Sequence, residues 1–525
     1  MGCLAQPKVL RYASQFDPGT MDAHAVASAY NGRILQQIYE PLVGRDEKFR
    51  IEPRLATSWE PIAEGWRFKL RQGVKFHDGT PFTADDVVFS VERGLRPESQ
   101  LRVSLPNVTG ARKVDDFTVD LLTSGPTPVL PLAITNFRIM SRAWAAKHKV
   151  ERPQNFNAKE ETFATRNTNG TGPFMLKSWV PDTKTVLVAN PDYWGRHGNV
   201  TEVQYLVVAT AATRMAGLIS GEIDFVVDPA LQDVEKLRGA PGIVIGQTTG
   251  VQAQYMSFGF ADEKLKYGEA NGRNPFRDIK VRLAVRHAID VKALQSKVMR
   301  NMGSIGSALF SSAVDGWDPK FAQPAAYDPE RSKKLLAEAG YPKGFSVTLD
   351  CSNAAPADAI CQAVAGMLAR VGIRVTHQPL PFNLLLPKVT KGDSSMFVIG
   401  WQPLTADAEG VLVPLAHTQN ARGDGQYNNG GYSNAKVDAA IDAARVVPLG
   451  EKRTKMLTEA MTVLEEDAAF IPLSYRNIVW IMNKRVKTPV MPNDSLDLRF
   501  VNIEQMGSGS FLNLSPLALR HQPDV

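Results

Sequence analysis

The sequence predicts an α/β protein with two lobes. Two stretches far apart in the chain each show the pattern of a strand, a helix and a second strand. The first covers 203–227 with its helix at 211–220, and the second covers 345–376 with its helix at 358–371. Short apolar strands joined by a crossover helix lie parallel in one sheet. Because the two units are so widely separated, we expect each to belong to its own lobe.

Capping residues predict where two helices begin and end. Thr83 and Asp86 have the spacing of a capping box, in which each side chain bonds the backbone of the other residue. Asp328 followed by Pro329 is a typical start of a helix, and Gly340 is a typical end. We therefore expect one helix after Thr83 and another between Asp328 and Gly340.

A smaller antiparallel piece is predicted in the N-terminal half. Residues 66–70 alternate between apolar and charged side chains, which favours a half-exposed strand. We expect 73–76 to be its partner and 77–80 to be a turn. This adds a third, smaller subdomain, at about 46–180, to the N-terminal lobe.

The composition is that of a soluble globular protein, with 44% apolar and 22% charged residues among 525. The 60 basic side chains are interspersed with 54 acidic ones, so the net charge is only +6. This predicts a mixed surface and no nucleic-acid partner. The longest uncharged stretches, 121–137 and 239–261, contain several Pro, Gly, Gln or Thr residues, so no membrane span is expected.

Both ends of the chain stand apart from the predicted fold. Residues 1–4 lack the basic and apolar lead of a signal peptide, and we expect them to replace a removed leader. Residues 507–510 alternate Gly and Ser, which is typical of flexible linkers, so 507–525 is predicted to be a linker-like tail. A natural disordered C-terminus is the alternative for this tail.

The motifs of the common enzyme classes are absent from the sequence. There is no HExxH, no GxSxG, no phosphate loop and no dinucleotide-binding GxGxxG. No histidine pairs with another at i, i+3 or i+4, which disfavours a preformed metal cage. We therefore expect no catalytic residues, no metal site and no cofactor.

Two internal cysteines leave an alternative open. Cys351 closes a predicted strand and Cys361 lies in the first turns of the next helix. A short loop can bring their Cα atoms within the disulfide range of about 4.4–6.8 Å. A disulfide would suit an oxidising compartment, whereas two reduced, buried thiols would suit either compartment.

A set of short motifs occurs in collinear order along most of the chain. They are the runs 35–43, 53–60, 66–71, 73–82 and 84–87, then Gly170-Thr171-Gly172-Pro173-Phe174, 190–195, Asn274-Pro275-Phe276, Val281-Arg282, Ala288-Ile289-Asp290, Gly400-Trp401, Tyr432-Ser433-Asn434 and Val437-Asp438. In combination they resemble the extracytoplasmic solute-binding proteins of ABC importers, family 5, the peptide, nickel and opine class. The resemblance covers about 7–505.

The resemblance implies a two-lobed, type II periplasmic-binding-protein fold of cluster C, with the extra subdomain in the N-terminal lobe. Lobe I would cover 5–256 with a C-terminal return at 481–506, and lobe II would cover 257–480. The crossings near 255–260 and 478–483 would form a hinge. Such a protein is expected in the periplasm as a monomer, where it delivers its solute to an ABC permease of the inner membrane.

In lobe II, candidate ligand-binding residues follow the apolar run 396–399. Trp401 at the end of this strand can stack on a solute. The loop after it, 402–409, is expected to bring Asp407 and Glu409 close together, where a carboxylate can pair with a ligand cation. Tyr427 and Asn428 belong to a Gly-rich loop that we expect to lie at the edge of lobe II.

In lobe I, five further residues are candidates for ligand contacts. Thr20, Met21 and His24 follow the first strand and are expected to face the cleft. Arg138 ends a loop rich in Pro and can reach an anionic group. Gly172 lets the backbone approach a solute closely.

Two departures from the family pattern leave the ligand class open. Peptide-binding members have an Asp three residues after the Gly-Trp pair, where this chain has Leu404. The segment after Cys351 also lacks the Arg that holds a carboxylate in some relatives. The favoured function is capture of a peptide or peptide-like solute. The alternatives are a non-peptide solute such as an opine, a sugar or a metal chelate, and, less favoured, a hydrolase or metalloenzyme.

Overall fold

The computed structural model describes residues 7–227, 229 and 231–504. The expectations for 1–4 and 507–525 lie outside these residues. In the described part, no helix is both long enough and apolar enough to cross a bilayer.

The described residues form twenty strands and fifteen α-helices. The strands are β1 (Val9–Ser14), β2 (Val43–Arg45), β3 (Ile51–Pro53), β4 (Ala56–Ile62), β5 (Gly65–Leu70), β6 (Val108–Asp115), β7 (Thr118–Thr123), β8 (Phe174–Val180), β9 (Lys184–Ala189), β10 (Glu202–Val207), β11 (Phe225–Val226), β12 (Ile243–Phe258), β13 (Gly268–Glu269), β14 (Gly303–Ile305), β15 (Phe345–Ser352), β16 (Ile373–Leu380), β17 (Met396–Trp401), β18 (Phe470–Asn483), β19 (Val486–Lys487) and β20 (Asn502–Ile503). The α-helices are α1 (Ala29–Ile38), α2 (Ala84–Gly94), α3 (Leu130–Ala133), α4 (Arg142–Lys147), α5 (Phe163–Arg166), α6 (Ala211–Ser220), α7 (Leu231–Leu237), α8 (Ile279–Ala288), α9 (Val291–Ala293), α10 (Pro329–Glu338), α11 (Ala357–Ala369), α12 (Phe382–Thr390), α13 (Glu409–Ala416), α14 (Ala435–Ala444) and α15 (Glu451–Asp467).

One twelve-stranded mixed sheet extends through both lobes. Its two longest strands, β12 and β18, pair antiparallel over most of their length. The first half of β12 lies with lobe I, whereas its second half pairs with β17 of lobe II. The pairing of β12 with β18 is irregular between Thr249 and Ala253, opposite Asn477 and Tyr475. The chain therefore crosses between the lobes in two adjacent strands that share a bulge.

Both strand–helix–strand units are present, with their helices within two residues of the predicted bounds. In lobe II, β15 and β16 pair directly and in parallel around α11. In lobe I, β10 and β11 are also parallel, but β1 lies between them and pairs with both. The pattern in the sequence predicts the direction of these strands, while the insertion of the N-terminal strand depends on contacts distant in sequence.

The antiparallel piece was predicted with the wrong partner. Strand β5 pairs with β4 and β7 in a four-stranded sheet of order β4-β5-β7-β6, not with 73–76. Residues 73–80 instead form a turn in which the Phe76 N–H donates to the Thr80 carbonyl over 2.8 Å. The prediction took the segment after β5 as its partner, whereas the partners are β4, which directly precedes β5, and β7, which lies about fifty residues away in sequence.

Each lobe packs around its own buried aromatic side chains. In lobe I the rings of Tyr12 and Tyr205 meet edge to face at 4.8 Å, beside the fully buried Trp480. In lobe II the rings of Phe258 and Phe276 stack at 4.6 Å. Separate cores allow the lobes to move as rigid bodies about the strands that join them.

The predicted caps are confirmed. The backbone N–H of Thr83 donates to Asp86 Oδ2 over 2.9 Å at the start of α2. Asp328 accepts from the Arg331 N–H over 2.9 Å at the start of α10. Gly340, just beyond this helix, has φ 90°, a left-handed conformation that favours glycine.

Cys351 and Cys361 form a disulfide, with their Cα atoms 6.6 Å apart. Both side chains are fully buried in lobe II. The bond closes the loop that carries Ser352, Ala355 and Pro356, which line the cavity described below.

Removing this disulfide is expected to lower the free energy of unfolding by about 2–3 kcal/mol, because a loop of this length gains that much conformational freedom in the unfolded chain. Urea unfolding with and without dithiothreitol measures the loss. The double variant C351S/C361S is the control and should be insensitive to the reductant. Equal stability of the oxidised and reduced wild-type protein would contradict the prediction.

Candidate functional site

A cavity of about 880 Å³ lies where the two lobes meet. Its wall includes residues at or just after the carboxyl ends of strands from both lobes: Gln15 after β1, Val227 after β11, Ser352 of β15 and Gly400 of β17. Ligands of parallel α/β sheets bind at the carboxyl ends of the strands. The cavity is therefore the candidate ligand site.

Polar side chains of the crossing strands form one side of this cavity. They are Gln252 and Gln254 of β12 and Ser474, Arg476 and Asn477 of β18. Within the described residues, the Gln252 amide makes no hydrogen bond. A Cβ atom at Gly400 would lie 3.1 Å from Gln252 Nε2, so glycine at this position leaves room for that amide. The amide is available to bind a polar group of a solute.

Apolar side chains of lobe II also line the cavity. They include Phe382 and Leu385 of α12, together with Val398 and Ile399 of β17. The Phe382 side chain is 55% exposed although it is large and apolar. A solute with an apolar part can cover this surface and gain about 25 cal/mol for each Å² removed from water.

The candidates predicted in lobe I lie outside the lining of this cavity. Met21 is fully buried in the core, and Thr20 Oγ1 donates to Gln154 Oε1 over 2.5 Å. Gly172 packs against the end of α1, where its N–H donates to the Ile38 carbonyl over 2.8 Å.

The side chains of His24 and Arg138 bind backbone carbonyl groups in the core of lobe I and do not face the cavity. His24 Nε2 lies 2.7 Å from the Arg138 carbonyl oxygen, and the Arg138 guanidinium donates to the Ala23 carbonyl over 3.2 Å. Burial, together with the neighbouring cation of Arg93, lowers the pKa of His24 to about 3, so this imidazole is neutral. Burial also lowers the pKa of Arg138 to about 10.

The physical reason for this burial is an ion pair beneath the loop. The Arg93 guanidinium donates to both carboxylate oxygens of Asp22, over 2.8 and 2.7 Å, and both side chains are fully buried. Asp22 also accepts the backbone N–H groups of His24 and Gln154. The loop after β1 is therefore held against the subdomain.

The candidates predicted in lobe II also make structural contacts. The Trp401 indole N–H donates to the Gly410 carbonyl over 2.8 Å, and its ring lies 5.0 Å from that of Tyr427. Asn428 is buried, and its amide donates to the carbonyls of His417 and Tyr432. Trp401 follows Gly400 of the cavity lining, but neither Trp401 nor the other two residues are part of it.

Asp407 and Glu409 are brought together, as the sequence suggested, but by a cation of the protein. The Arg453 guanidinium donates to both Asp407 oxygens and to Glu409 Oε2, each over 2.8 Å. Burial raises the pKa of Glu409, which the Arg453 cation opposes. These carboxylates bind Arg453 of α15. Their role in ligand binding stays a prediction.

Sequence reasoning missed the charged groups that do line the cavity. They include Arg214 on α6, Arg300 in the turn before β14, Arg476 on β18, and the acids Glu235 and Asp494. These residues lie in five separate segments and share no motif. A signal was present only in β12, where Gln252 and Gln254 alternate with buried neighbours.

Several residues of the short motifs converge on Glu40, which is buried in lobe I. Its carboxylate accepts hydrogen bonds from Thr171 Oγ1 over 2.9 Å, Tyr193 Oη over 3.0 Å and Trp194 Nε1 over 2.8 Å. It also forms an ion pair with Arg54. Four of the motif runs therefore meet at one carboxylate, and their shared role is to hold lobe I together.

A match to a known protein family agrees with a ligand cavity between two lobes. Residues 50–423 match the family described as bacterial extracellular solute-binding proteins, family 5 Middle. The chain belongs to this family. Members of family 5 bind small solutes or peptides and work with an ABC permease.

Curated relatives of this family 5 protein span almost its whole length. It is 28% identical over 488 residues to heme-binding protein A of Haemophilus influenzae, covering 88% of this chain and 85% of the relative. It is 25% identical over 516 residues to the dipeptide-binding protein of Escherichia coli K12, covering 92% of each. The glutathione-binding protein GsiB of Salmonella typhi is 25% identical over 493 residues, with 92% and 91% covered.

Solved structures share the type II binding-protein fold of this family 5 chain. HbpA2 from Haemophilus parasuis superposes with a TM-score of 0.82 at 25% identity, covering 95% of this chain and 100% of the other. DppA from Helicobacter pylori in complex with the peptide STSA superposes with a TM-score of 0.68 at 26% identity, covering 95% and 98%. The two-lobed fold predicted from the sequence is confirmed.

Proposed function

We propose that this protein captures a peptide or peptide-like solute in the cavity between its lobes and delivers it to an ABC permease. The observation that carries the proposal is the cavity of about 880 Å³ at the two strands that join the lobes. Relatives named for dipeptide and glutathione binding cover more than nine-tenths of the chain and support a peptide-like solute.

Capture works through closure about β12 and β18. A solute that contacts both lobes binds the closed state more tightly than the open one and so shifts the population towards closure. Polar groups such as Gln252 orient the solute, while Phe382 and its neighbours cover its apolar part. The protein retains the solute unchanged, as a monomer in the periplasm, with neither a catalytic step nor a nucleic-acid partner.

The arrangement of the lobes supports an open starting state. The chain superposes with a TM-score of 0.82 on the unliganded open form of the murein tripeptide binding protein MppA. The peptide complex of DppA gives only 0.68, although its sequence is more similar. A difference of this kind is expected when the lobes have the same fold but a different relative orientation.

A non-peptide solute is the second candidate. Leu404 stands where peptide-binding members have an Asp, and its side chain is 72% exposed. The relative at 28% identity is named for heme binding, which supports a solute other than a peptide.

Native mass spectrometry of the freshly purified protein, followed by titration with peptide pools, tests the proposal. We expect a retained peptide-like mass, and small-angle scattering should show a smaller radius of gyration after binding. The variant A211W places an indole in the cavity and should weaken binding at least tenfold. Ala212 is the next residue on α6 but is not part of the lining, so A212W is the matched control. If no peptide-like compound binds, or if A211W binds as tightly as A212W, the proposal is wrong.

A further inference from the structure

Resting on the proposed function, we infer that the solute is an organic anion whose carboxylate groups bind Arg300 and Arg476. Both arginines line the cavity. An Arg guanidinium matches a carboxylate with two parallel hydrogen bonds, a geometry that Lys cannot provide.

Arg300 lies in a turn with an unusual backbone. It has φ 51° and the following Asn301 has φ 59°, so two consecutive residues other than glycine are left-handed. Such residues are uncommon, and their strain is typical of functional sites. A π-helical segment, Leu294–Val298, precedes the turn. Hydrogen bonds fix the turn, among them Asn301 N–H to the Gln295 carbonyl over 2.9 Å.

The Arg300 side chain has no partner among the described residues. It is exposed in the cavity wall and makes neither an ion pair nor a hydrogen bond there. A strained turn that presents an uncompensated cation to a cavity is explained if the cation binds a ligand. No such explanation is needed for Arg214, which is buried and bonds the Ala209 carbonyl over 2.9 Å.

Arg476 is brought to the same region by strand pairing. It lies on β18 directly opposite Gly303 of β14, and Gly303 is the third residue after Arg300. Its side chain is 57% exposed, and its one contact with an acid among the described residues is Asp494 Oδ2 at 3.8 Å. This ion pair is too long for a hydrogen bond, so the guanidinium N–H groups donate to no side chain among the described residues and can bind a carboxylate.

The acids of the described lining are already bound by other groups. Asp494 accepts the Trp480 indole N–H over 2.9 Å and pairs with Arg33 at 3.2 Å. Glu235 is exposed and pairs with Arg238 at 2.8 Å. The described lining thus offers one cation without an ion pair, Arg300, and a second, Arg476, that is held only by a long ion pair, whereas its acids have closer cationic partners, and this balance favours anionic solutes.

The apolar residues of the lining indicate which kind of group the solute carries besides its carboxylates. Met299 and Met302 flank the turn of Arg300, and the exposed Phe382 continues the apolar surface. Methionine adapts to irregular apolar shapes. The solute class that fits is therefore an amphiphilic organic acid, with carboxylates at one side of an apolar or peptide-like body.

Two matched pairs of probes test whether carboxylates are needed for binding, whatever the rest of the solute is. One pair is glutathione and its diester, and the other is heme and its dimethyl ester, so that each pair differs in its carboxylates. Isothermal titration measures the first pair and absorbance measures the second. For whichever of the two compounds binds, we expect the acid to bind at least tenfold more tightly than its ester.

Variants assign the discrimination to the two arginines. R300Q and R476Q should each weaken binding of the acid by about 10- to 100-fold, as expected for loss of a charge-assisted hydrogen-bond pair, and leave the ester unchanged. R300K should retain part of the affinity, and R300E should lose more than R300Q. Arg370 ends α11, about 20 Å along that helix from the cavity, and has no ion pair among the described residues, so R370Q is the matched control.

The outcomes separate this inference from the proposed function. Esters that bind as tightly as the acids would overturn the anion inference. So would a result in which neutral or basic tripeptides bind but neither glutathione nor heme does. Charge discrimination with heme and no binding of any peptide-like compound would support the anion inference and overturn the peptide-like function. Discrimination that survives in R300Q and R476Q would overturn the assignment to these residues.

Discussion

Replacement of Glu40 by alanine is expected to lower the free energy of unfolding by about 3–5 kcal/mol and the melting temperature by about 3–5 °C. The Glu40 side chain is almost fully buried and carries the only close carboxylate for the Arg54 guanidinium among the described residues. Glu52 lies 3.9 Å from Arg54 and compensates only in part. Removing Glu40 also leaves Tyr193 and Trp194 without their acceptor.

Urea denaturation of E40A measures this loss, and a double variant identifies its cause. E40M/R54M removes both charges and should be more stable than E40A, because no unpaired buried charge remains. The exposed pair of Glu330 and Lys333 provides a matched control, since E330A should change stability by no more than about 0.5 kcal/mol. A loss below about 1 kcal/mol in E40A would show that the cluster does not stabilise lobe I.

Replacement of Arg453 by methionine is expected to destabilise lobe II by a similar amount, about 3–5 kcal/mol. Arg453 is the partner of Asp407 and Glu409, and the side chains of Arg453 and Asp407 are almost fully buried. Without the guanidinium, Asp407 would keep a buried charge that has lost two hydrogen bonds. Arg445 lies 3.9 Å from Glu409 and would compensate only there.

The same variant tests the sequence-based role of the two acids in ligand binding. Thermal unfolding should show the loss of stability in R453M, while the solute affinity of the folded protein at low temperature should match the wild-type value. K455A, on the exposed face of α15, is the control for changes to this helix. Weaker solute binding without a loss of stability would instead favour ligand contacts by Asp407 and Glu409.

Local features of the fold were predictable because their causes are local. The capping box of Thr83 and Asp86, and the strand–helix–strand units, arise from residues only a few positions apart. The second partner of β5 was not predictable in the same way, since a choice between 73–76 and 118–123 depends on which strand completes the subdomain core, although its first partner, β4, is the adjacent segment. Register between distant strands is fixed by packing that the chain pattern does not display.

The ligand site was harder to predict than the fold. Trp401 and Asp407 follow a strand end, as ligand contacts do, yet a polar residue in such a loop can equally bond its own protein. The structure shows that Trp401 bonds Gly410 and that Asp407 bonds Arg453, and the positions of these partners were not predictable from the sequence. Arg300 and Arg476 were not predictable for the opposite reason: Arg300 stands out because it has no partner among the described residues, and Arg476 because β14 pairs with β18 beside it.

The paired crossing strands also mean that residues 259–469 begin and end at neighbouring points, since Ser257 pairs with Phe470. A segment with adjacent ends can be transplanted between hosts without stretching either chain. The segment 259–469, which is most of lobe II, is thus suited to recombination between relatives. Exchanging it would move Arg300 and leave Arg476 on β18 behind, so a chimera would take one of the two cavity arginines from each parent.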